Sequence, residues 1–565
     1  MSINYPEEMN MQVCKVSKIL MFVLILPAFL FAQEDVLVLV PSTGSDETFV
    51  NAQIIADTIA TGGLLPNRVY ELQRDQYYLV KTELRIAQPG EKLRIRAQSG
   101  DGALPVVYFW PRGGDTNPER PPGQWVRTQG GDLELTNIAV AGYYEPEVDY
   151  LDNVQGNMFR NDAAGSSFIF DGCIFSNING QILRTENNAV KVSITNCIFA
   201  NLGSLTTSNL GAGKGIDLRA SECVELIVEN NTFVNYQDRV IRHYNFSNPE
   251  AGTGLIHYGR IDHNTIINGM GYHGLFSLGN VGTSMQITNN LFVDAFGLGE
   301  DSTDAVRAAE WANTGEVYAN GNNRITWIFS APNEVTNWTV SNNYFAISDS
   351  GQAFLDDFDF GPASPLSYHI EGKLAGGAAT AFKKIDIDLA DIPKMMTNFM
   401  RWYEDPSGGN KTKETGNYDK TTDDMDRREI TYYRDTFDAS YSTESEAYTG
   451  STTGGPVGDL NWFDLVDAIE DDYTTHGPTS FMLSQNYPNP FNPVTTIGFS
   501  IPVNDHVSLT IYNTIGQKVA KLLDGNAKAG YHVVNWNAND FASGVYFYQL
   551  KFRNEVQTRK MILVK

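Results

Sequence analysis

FDGCIF (170–175), ITNCIF (194–199), VENNTF (228–233), IDHNTI (261–266), ITNNLF (287–292) and VSNNYF (340–345) are copies of one six-residue pattern, with a fainter copy in LTNIAV (135–140). Their last residues fall 24 to 53 positions apart. That irregularity excludes helical solenoids and propeller blades, and it suits a coil whose turns of about 22–26 residues carry loop insertions. In a parallel coil, short strands stack ~4.8 Å apart, so equivalent positions form ladders along the axis. The pattern therefore predicts an internal apolar ladder of Phe175, Phe199, Phe233, Ile266, Phe292 and Phe345. It also predicts an amide ladder of Asn231, Asn264, Asn290 and Asn343 at an inward turn, where side-chain amides bond the backbone and each other. Cys173 and Cys197 share that column and read as buried thiols on adjacent turns.

Composition agrees with an all-β body. The 565 residues are 42% hydrophobic, enough for a sizeable core, and 50 glycines with 12% aromatics suit many turns between short strands. A net charge of −26 argues against a polyanion grip through overall charge, so nucleic acid is not an expected partner and any anion site must be local. The chain shows no phosphate loop, nucleotide fingerprint, zinc-spaced Cys/His cluster or serine elbow, and nucleotide chemistry is not expected.

Ahead of the coil, residues 46–60 combine N-cap chemistry with an amphipathic run (Phe49, Ile54, Ile55, Ile59) and read as a helix capping the open end, followed by strands over 68–86. Residues 1–32 read as a secretory signal peptide: Lys15 and Lys18, an apolar run over 19–31, then Ala32. The run is short for a membrane span. The coil with its cap is assigned to 33–465 and a linker to 466–482. The rungs fade after 350, and the stretch 450–455 reads as an exit from the coil.

From Leu483 the composition changes. Pro488, Pro490 and Pro493 exclude a helix, alternating runs bounded by Gly516, Gly530 and Gly544 read as a small Ig-like β-sandwich, and eight basic face four acidic residues. On NYPNPF (486–491), the stretch 511–516, SGVY (543–546) and the terminal 560–565, this segment resembles the type A C-terminal sorting domain of type IX secretion substrates. The resemblance implies passage through the periplasm to release or outer-membrane surface attachment, with the type IX machinery as partner. The body resembles the pectate-lyase-like right-handed parallel β-helix superfamily over about 33–350.

A second register lies between the Phe columns: MFRN (158–161), ILRT (182–185), DLRA (217–220), VIRH (240–243), LFSL (275–278) and AVRA (305–308). Aligned on these, Arg160, Arg184, Arg219, Arg242 and Arg307 share one outward column, broken only by Ser277. Two readings fit. In one, Glu186, Asp217, Glu222 and Glu229 pair with the arginines in a solvated network; in the other, the column is a groove for an acidic polysaccharide, whose carboxylates or sulfates arginine binds bidentately.

Arg242-His243-Tyr244-Asn245 is similar to the Arg-His-Gly-Asn stretch of the chondroitinase B and alginate lyase family, in which the arginine belongs to the catalytic pair. That family carries a lysine base one turn earlier near a calcium held by acids. Here Glu222 stands at the lysine position, Lys214 lies upstream, and Asp217 alone approximates a calcium ligand. The resemblance implies a β-eliminating lyase with Arg242 in the catalytic pair and calcium as the cofactor; for that chemistry Arg242 would neutralise a uronate and Lys214 or His243 would be the base, while the column reading gives Arg160, Arg184, Arg219 and Arg307 as substrate-binding residues. The alternative is a non-catalytic polysaccharide-binding or adhesion protein exported by the same route.

Overall fold

The structure is a computed structural model. It describes residues 34–565 except 111–122, 143–155, 204–211, 245–253, 296–300, 302–303, 313, 322, 332–333, 391–399, 402, 405–436, 464, 466–480, 484–485 and 487–488. The signal peptide assigned to 1–32 and all but the last two residues of the 466–482 linker lie outside the described residues.

Each turn of the body contributes one strand to each of three sheets, and every pairing between turns is parallel, as in Ser166–Asp171 on Ala189–Thr195. Sheet 1 runs through ten strands from Asp35–Val38 to Asn337–Ser341, sheet 2 through ten from Tyr77–Val80 to Phe382–Lys384, and sheet 3 through nine from Leu84–Ile86 to Ser364–Leu366. The body is a right-handed parallel β-helix. The last strands of sheets 2 and 3 carry the coil beyond residue 350, where the repeat is no longer visible in the sequence.

The apolar ladder forms as the pattern requires. Phe175, Phe199, Phe233, Ile266, Phe292 and Phe345 are paired in succession along sheet 2, and the Phe199 and Phe233 rings stack with centroids 4.5 Å apart. Sheets 1 and 2 meet at a two-residue corner. Its first residue is left-handed (Asn196, Asn230, His263, Asn289 and Asn342, φ 51 to 57°) and its second points inward. There Asn231 Nδ2 donates to Asn264 Oδ1, Asn264 to Asn290 and Asn290 to Asn343, each at 2.9 Å. Each of these donors also reaches a strand carbonyl of the preceding turn, as Asn264 does to Val228. Cys173, Cys197 and Cys223 are free and buried.

A second asparagine ladder lies inside sheet 2. Asn177, Asn201, Asn235 and Asn268 are all left-handed, and each amide donates to the one before it, at 3.2, 3.1 and 2.6 Å. A left-handed residue resets strand alternation, which turns the following Ile178, Leu202 and Tyr236 into the core.

The capping helix spans Val50–Thr61 and ends at the left-handed Gly62. Ile54 is buried, whereas Ile59 is 77% exposed, so its apolar face is narrower than the sequence suggests. Asn51 anchors it by accepting from Trp125 Nε1 at 2.7 Å.

At the other end, residues 437–463 pack back over the outer face of sheet 2, with Phe437, Tyr441, Val457 and Trp462 against Ile198, Val234, Ile267 and Leu291. Asp459 accepts from Thr232 Oγ1 at 2.7 Å, and Trp462 Nε1 donates to the same hydroxyl at 2.8 Å. The stretch 450–455, read in the sequence as an exit, belongs to this strap: Gly450 O accepts from Asn342 and Thr452 N donates to Asn289. An apolar sheet face must be covered, and its polar composition concealed that this segment does so.

The C-terminal unit is an antiparallel sandwich. One sheet holds Met482–Leu483, Val494–Ile501 and Gly530–Asn537, and the other Lys518–Ala527, Asp505–Asn513, Gly544–Phe552 and Glu555–Leu563. No helix of the described residues is long and apolar enough to cross a membrane.

Candidate functional site

The outer faces of the three sheets differ. Sheet 2 lies under the strap, and sheet 1 carries cross-strand ion pairs such as Lys191–Glu225 (2.8 Å) and Lys92–Glu134 (3.4 Å). Sheet 3 carries the arginines. Its paired register reads Arg85, Arg127, Arg160, Arg184, Asp217, Arg242, Ser277, Phe329.

This register corrects the alignment at two members. Asp217, not Arg219, pairs with Arg184 and Arg242, because the strand ends at Asp217 and Arg219 sits beyond it in a left-handed conformation (φ 50°). Arg307 lies outside the column altogether, buried on the helix Ala305–Trp311 within an insertion, with its guanidinium over the Tyr272 ring. Two further arginines belong to the column and escape the alignment. Arg85 and Arg127 continue it toward the cap, and the apolar–Arg–apolar pattern of LRI (84–86) resembles the ILRT copy closely enough to reveal the first.

Acids one pleat along, together with Asp217 in the column itself, pair with the arginines. Glu83 contacts Arg85 (2.7 Å) and Arg127 (2.9 Å), and Asp162 contacts Arg127 and Arg160 (both 2.8 Å). Glu186 contacts Arg184 (2.6 Å), Arg219 (3.5 Å) and Arg160 (3.9 Å), and Asp217 contacts Arg242 (3.3 Å). Among the described residues, five arginines of the column and Arg219 beyond its strand thus face four carboxylates. Of the acids expected to pair with it, Glu186 and Asp217 do. Glu222 pairs instead with His257 and Glu229 with Arg260, both on the sheet 1 side.

Beside the column, the corner from sheet 2 to sheet 3 holds the long connections, and a buried charged cluster forms there. Asp238 accepts from Lys214 Nζ (2.9 Å), Arg239 Nε (3.1 Å) and His273 Nδ1 (2.7 Å). Burial pushes the Asp238 carboxyl up, but Arg239, Lys214 and His273 outweigh it and hold the group well below the usual carboxylate range. Burial lowers the Lys214 ammonium to about 8; Asp238 holds it up, while Arg239 and Arg242 press it down. Adjoining this cluster, Tyr272 packs edge-on to His273 and to Tyr403, and the Tyr403 hydroxyl donates to Asp304. Asp238 and Arg239 carry no repeat signal, so nothing along the chain singles them out.

His243 faces inward, one residue past Arg242, where its Nε2 donates to the Ser221 carbonyl at 2.8 Å. Burial lowers its pKa to about 4, so it is neutral at pH 7, but it is turned away from the outer face of sheet 3. Asp217 does not fit a calcium site. One oxygen is held by Arg242 and the other accepts from the Arg219 N–H at 3.2 Å, and no group of three or more His, Cys, Asp or Glu that could hold a metal occurs among the described residues.

In the C-terminal sandwich, segments distant in sequence converge. The buried Asn486 donates its backbone N–H to the Tyr548 hydroxyl at 2.7 Å, and Phe491 exchanges backbone bonds with Ile562 and Val564, both at 2.9 Å. A family described as the secretion system C-terminal sorting domain matches residues 485–565. This unit is a type IX secretion sorting domain. The sorting domain marks the protein for export, followed by secretion or cell-surface attachment, and supports engagement with the type IX machinery. No curated protein and no solved structure matches the chain.

Proposed function

We propose that this exported β-helix protein acts on an acidic polysaccharide, with β-elimination as its chemistry. The observation that carries the reading is the column on sheet 3: arginines on successive rungs, interrupted by Asp217, which among the described residues outnumber the carboxylates that pair with them, on an outer face that the strap does not cover. The ~4.8 Å spacing of the rungs that carry the arginines matches, in order of magnitude, the repeat of an extended polyuronate or sulfated glycan. In elimination a cation neutralises the uronate carboxylate, a base removes the C5 proton, and the glycosidic oxygen leaves from C4 with the bonding pair and takes up a proton from an acid or water as the C4–C5 double bond forms.

Arg242 is the candidate neutralising residue. Lys214 is the candidate base: it stands at the edge of the same sheet, and with a pKa of about 8 a useful fraction is the free amine near neutral pH. His243 is the weaker candidate base, because its ring is fully buried and its Nε2 is committed to the Ser221 carbonyl. The second reading, a non-catalytic binding protein, draws support from the near-complete cover of Lys214, whose side chain is 4% exposed and ion-paired.

The test is to incubate the full-length protein with polygalacturonate, alginate and chondroitin sulfate and follow the ultraviolet absorbance of the unsaturated uronate. We expect a rise with at least one polymer, lost in Lys214→Met with binding retained. Binding with no absorbance rise selects the second reading; no binding to any of the three removes both. Arg184→Ala is the cleaner binding control, because removing Arg242 leaves the buried Asp217 carboxylate without its cation.

A further inference from the structure

Glu186 stands at the most basic point of the column. One of its oxygens, Oε1, faces three guanidinium groups: Arg184 Nε at 2.6 Å, Arg219 Nη1 at 3.5 Å and Arg160 Nη2 at 3.9 Å. The three arginines come from two adjacent rungs and from the left-handed turn that ends the next, so the side chains converge only in the fold. The buried Arg160 Nε lies 2.8 Å from Asp162 but not in hydrogen-bond geometry. The backbone beneath Glu186 is fixed, since Asn161 Oδ1 accepts from the N–H groups of Glu186 (2.7 Å) and Asn187 (3.1 Å). The carboxylate itself remains part-exposed and can swing away.

We propose that Glu186 is a built-in competitor for the anionic group of the polysaccharide. This rests on the reading of sheet 3 as the polyanion face and adds that one site on it is already filled by the protein's own carboxylate. A uronate carboxylate or a sugar sulfate has the charge and acceptor geometry to take the place of Glu186 against Arg184 and Arg219. On binding, Glu186 is displaced toward water, and affinity is set by that exchange. The device keeps clustered arginines from repelling one another in the free protein and makes the face respond to polymers, which present many anions, more than to single anions.

Replacing this glutamate should therefore strengthen binding, whereas the loss of a purely structural ion pair would leave binding unchanged or weaker. Glu186→Gln keeps an acceptor for Arg184 and removes the competing charge. Glu225→Gln makes the same change in net charge on sheet 1, where Glu225 pairs with Lys191 at 2.8 Å. Full-length wild type, both variants and Arg184→Ala would be titrated with polygalacturonate, alginate and chondroitin sulfate over a range of salt. Glu186→Gln should bind the preferred polymer about three- to tenfold more tightly than wild type, with a steeper salt dependence, Glu225→Gln within about twofold, and Arg184→Ala about tenfold more weakly. If Arg184→Ala weakens binding but Glu186→Gln is no tighter than Glu225→Gln, the competitor role is wrong and the polyanion face stands. If Arg184→Ala binds like wild type, or wild type binds none of the three, the face itself is wrong and the inference falls with it.

Discussion

Lys214 enters the coil wall fully buried, with the Asp238 carboxylate holding its charge. An unfolded lysine keeps its proton to about pH 10.4, whereas the folded one releases it near 8. Between those values the unfolded state holds more protons, so this group makes stability rise with pH, by at most ~1.4 kcal/mol per unit. Below pH 8 both states are protonated and the slope vanishes. Urea unfolding at pH 8, 9 and 10 should show that component in wild type and not in Lys214→Met; identical pH dependence in the two would mean an ordinary lysine. The neighbouring positions are partly legible in the chain. Lys214 and Arg242 can be picked out as a lysine and an arginine near repeat copies, but Asp238 lies 24 residues after Lys214 in a connection with no pattern, and nothing along the chain declares that they meet.

At the scale of elements, the ladders carry the coil. Asn264 accepts from the N–H (3.1 Å) and Nδ2 (2.9 Å) of Asn231 and donates to Val228 O (2.8 Å) and Asn290 Oδ1 (2.9 Å). Asn264→Ala leaves several of these buried groups unmade, at ~1–3 kcal/mol each before relaxation. We expect a loss of ~2–4 kcal/mol in chemical denaturation, with Asn264→Asp no better because a carboxylate cannot donate to Val228 and Asn290. A loss below ~1 kcal/mol would show that water can fill the ladder. This ladder is readable from the asparagine two places before Phe233, Ile266, Phe292 and Phe345. The second one is also written in the chain, two residues after the same positions in FSNI, FANL, FVNY and IING, but simple strand alternation hides it. A left-handed residue inside a strand breaks the period of two on which inward and outward assignments rest.

For the whole molecule, the strap covers sheet 2, and the arginine column with its carboxylates occupies the outer face of sheet 3, the face proposed for a long charged ligand. The sorting domain forms its own core around Phe499, Leu509, Trp536, Tyr548 and Leu563. Deleting 483–565 should therefore leave a folded body that stays in the periplasm. Cell fractionation of the native host checks this, and truncated protein reaching the medium or surface at the full-length level would defeat it.

The coil, its Phe/Ile ladder, the first asparagine ladder and the sorting domain are legible in the chain alone. Those features arise from requirements repeated at every turn, so each copy reinforces the others and the period survives loop insertions. The outward charges take their places only on folding. No packing rule fixes an exposed side chain in register, and one left-handed residue at Arg219 puts Asp217 into the arginine column. The compensation of that column, the burial of Lys214 against Asp238 and the return of 437–463 over sheet 2 depend on contacts between turns far apart along the chain. Coulomb and hydrophobic forces act through space, and the connections between those turns vary too much in length for the chain to announce which residues will meet.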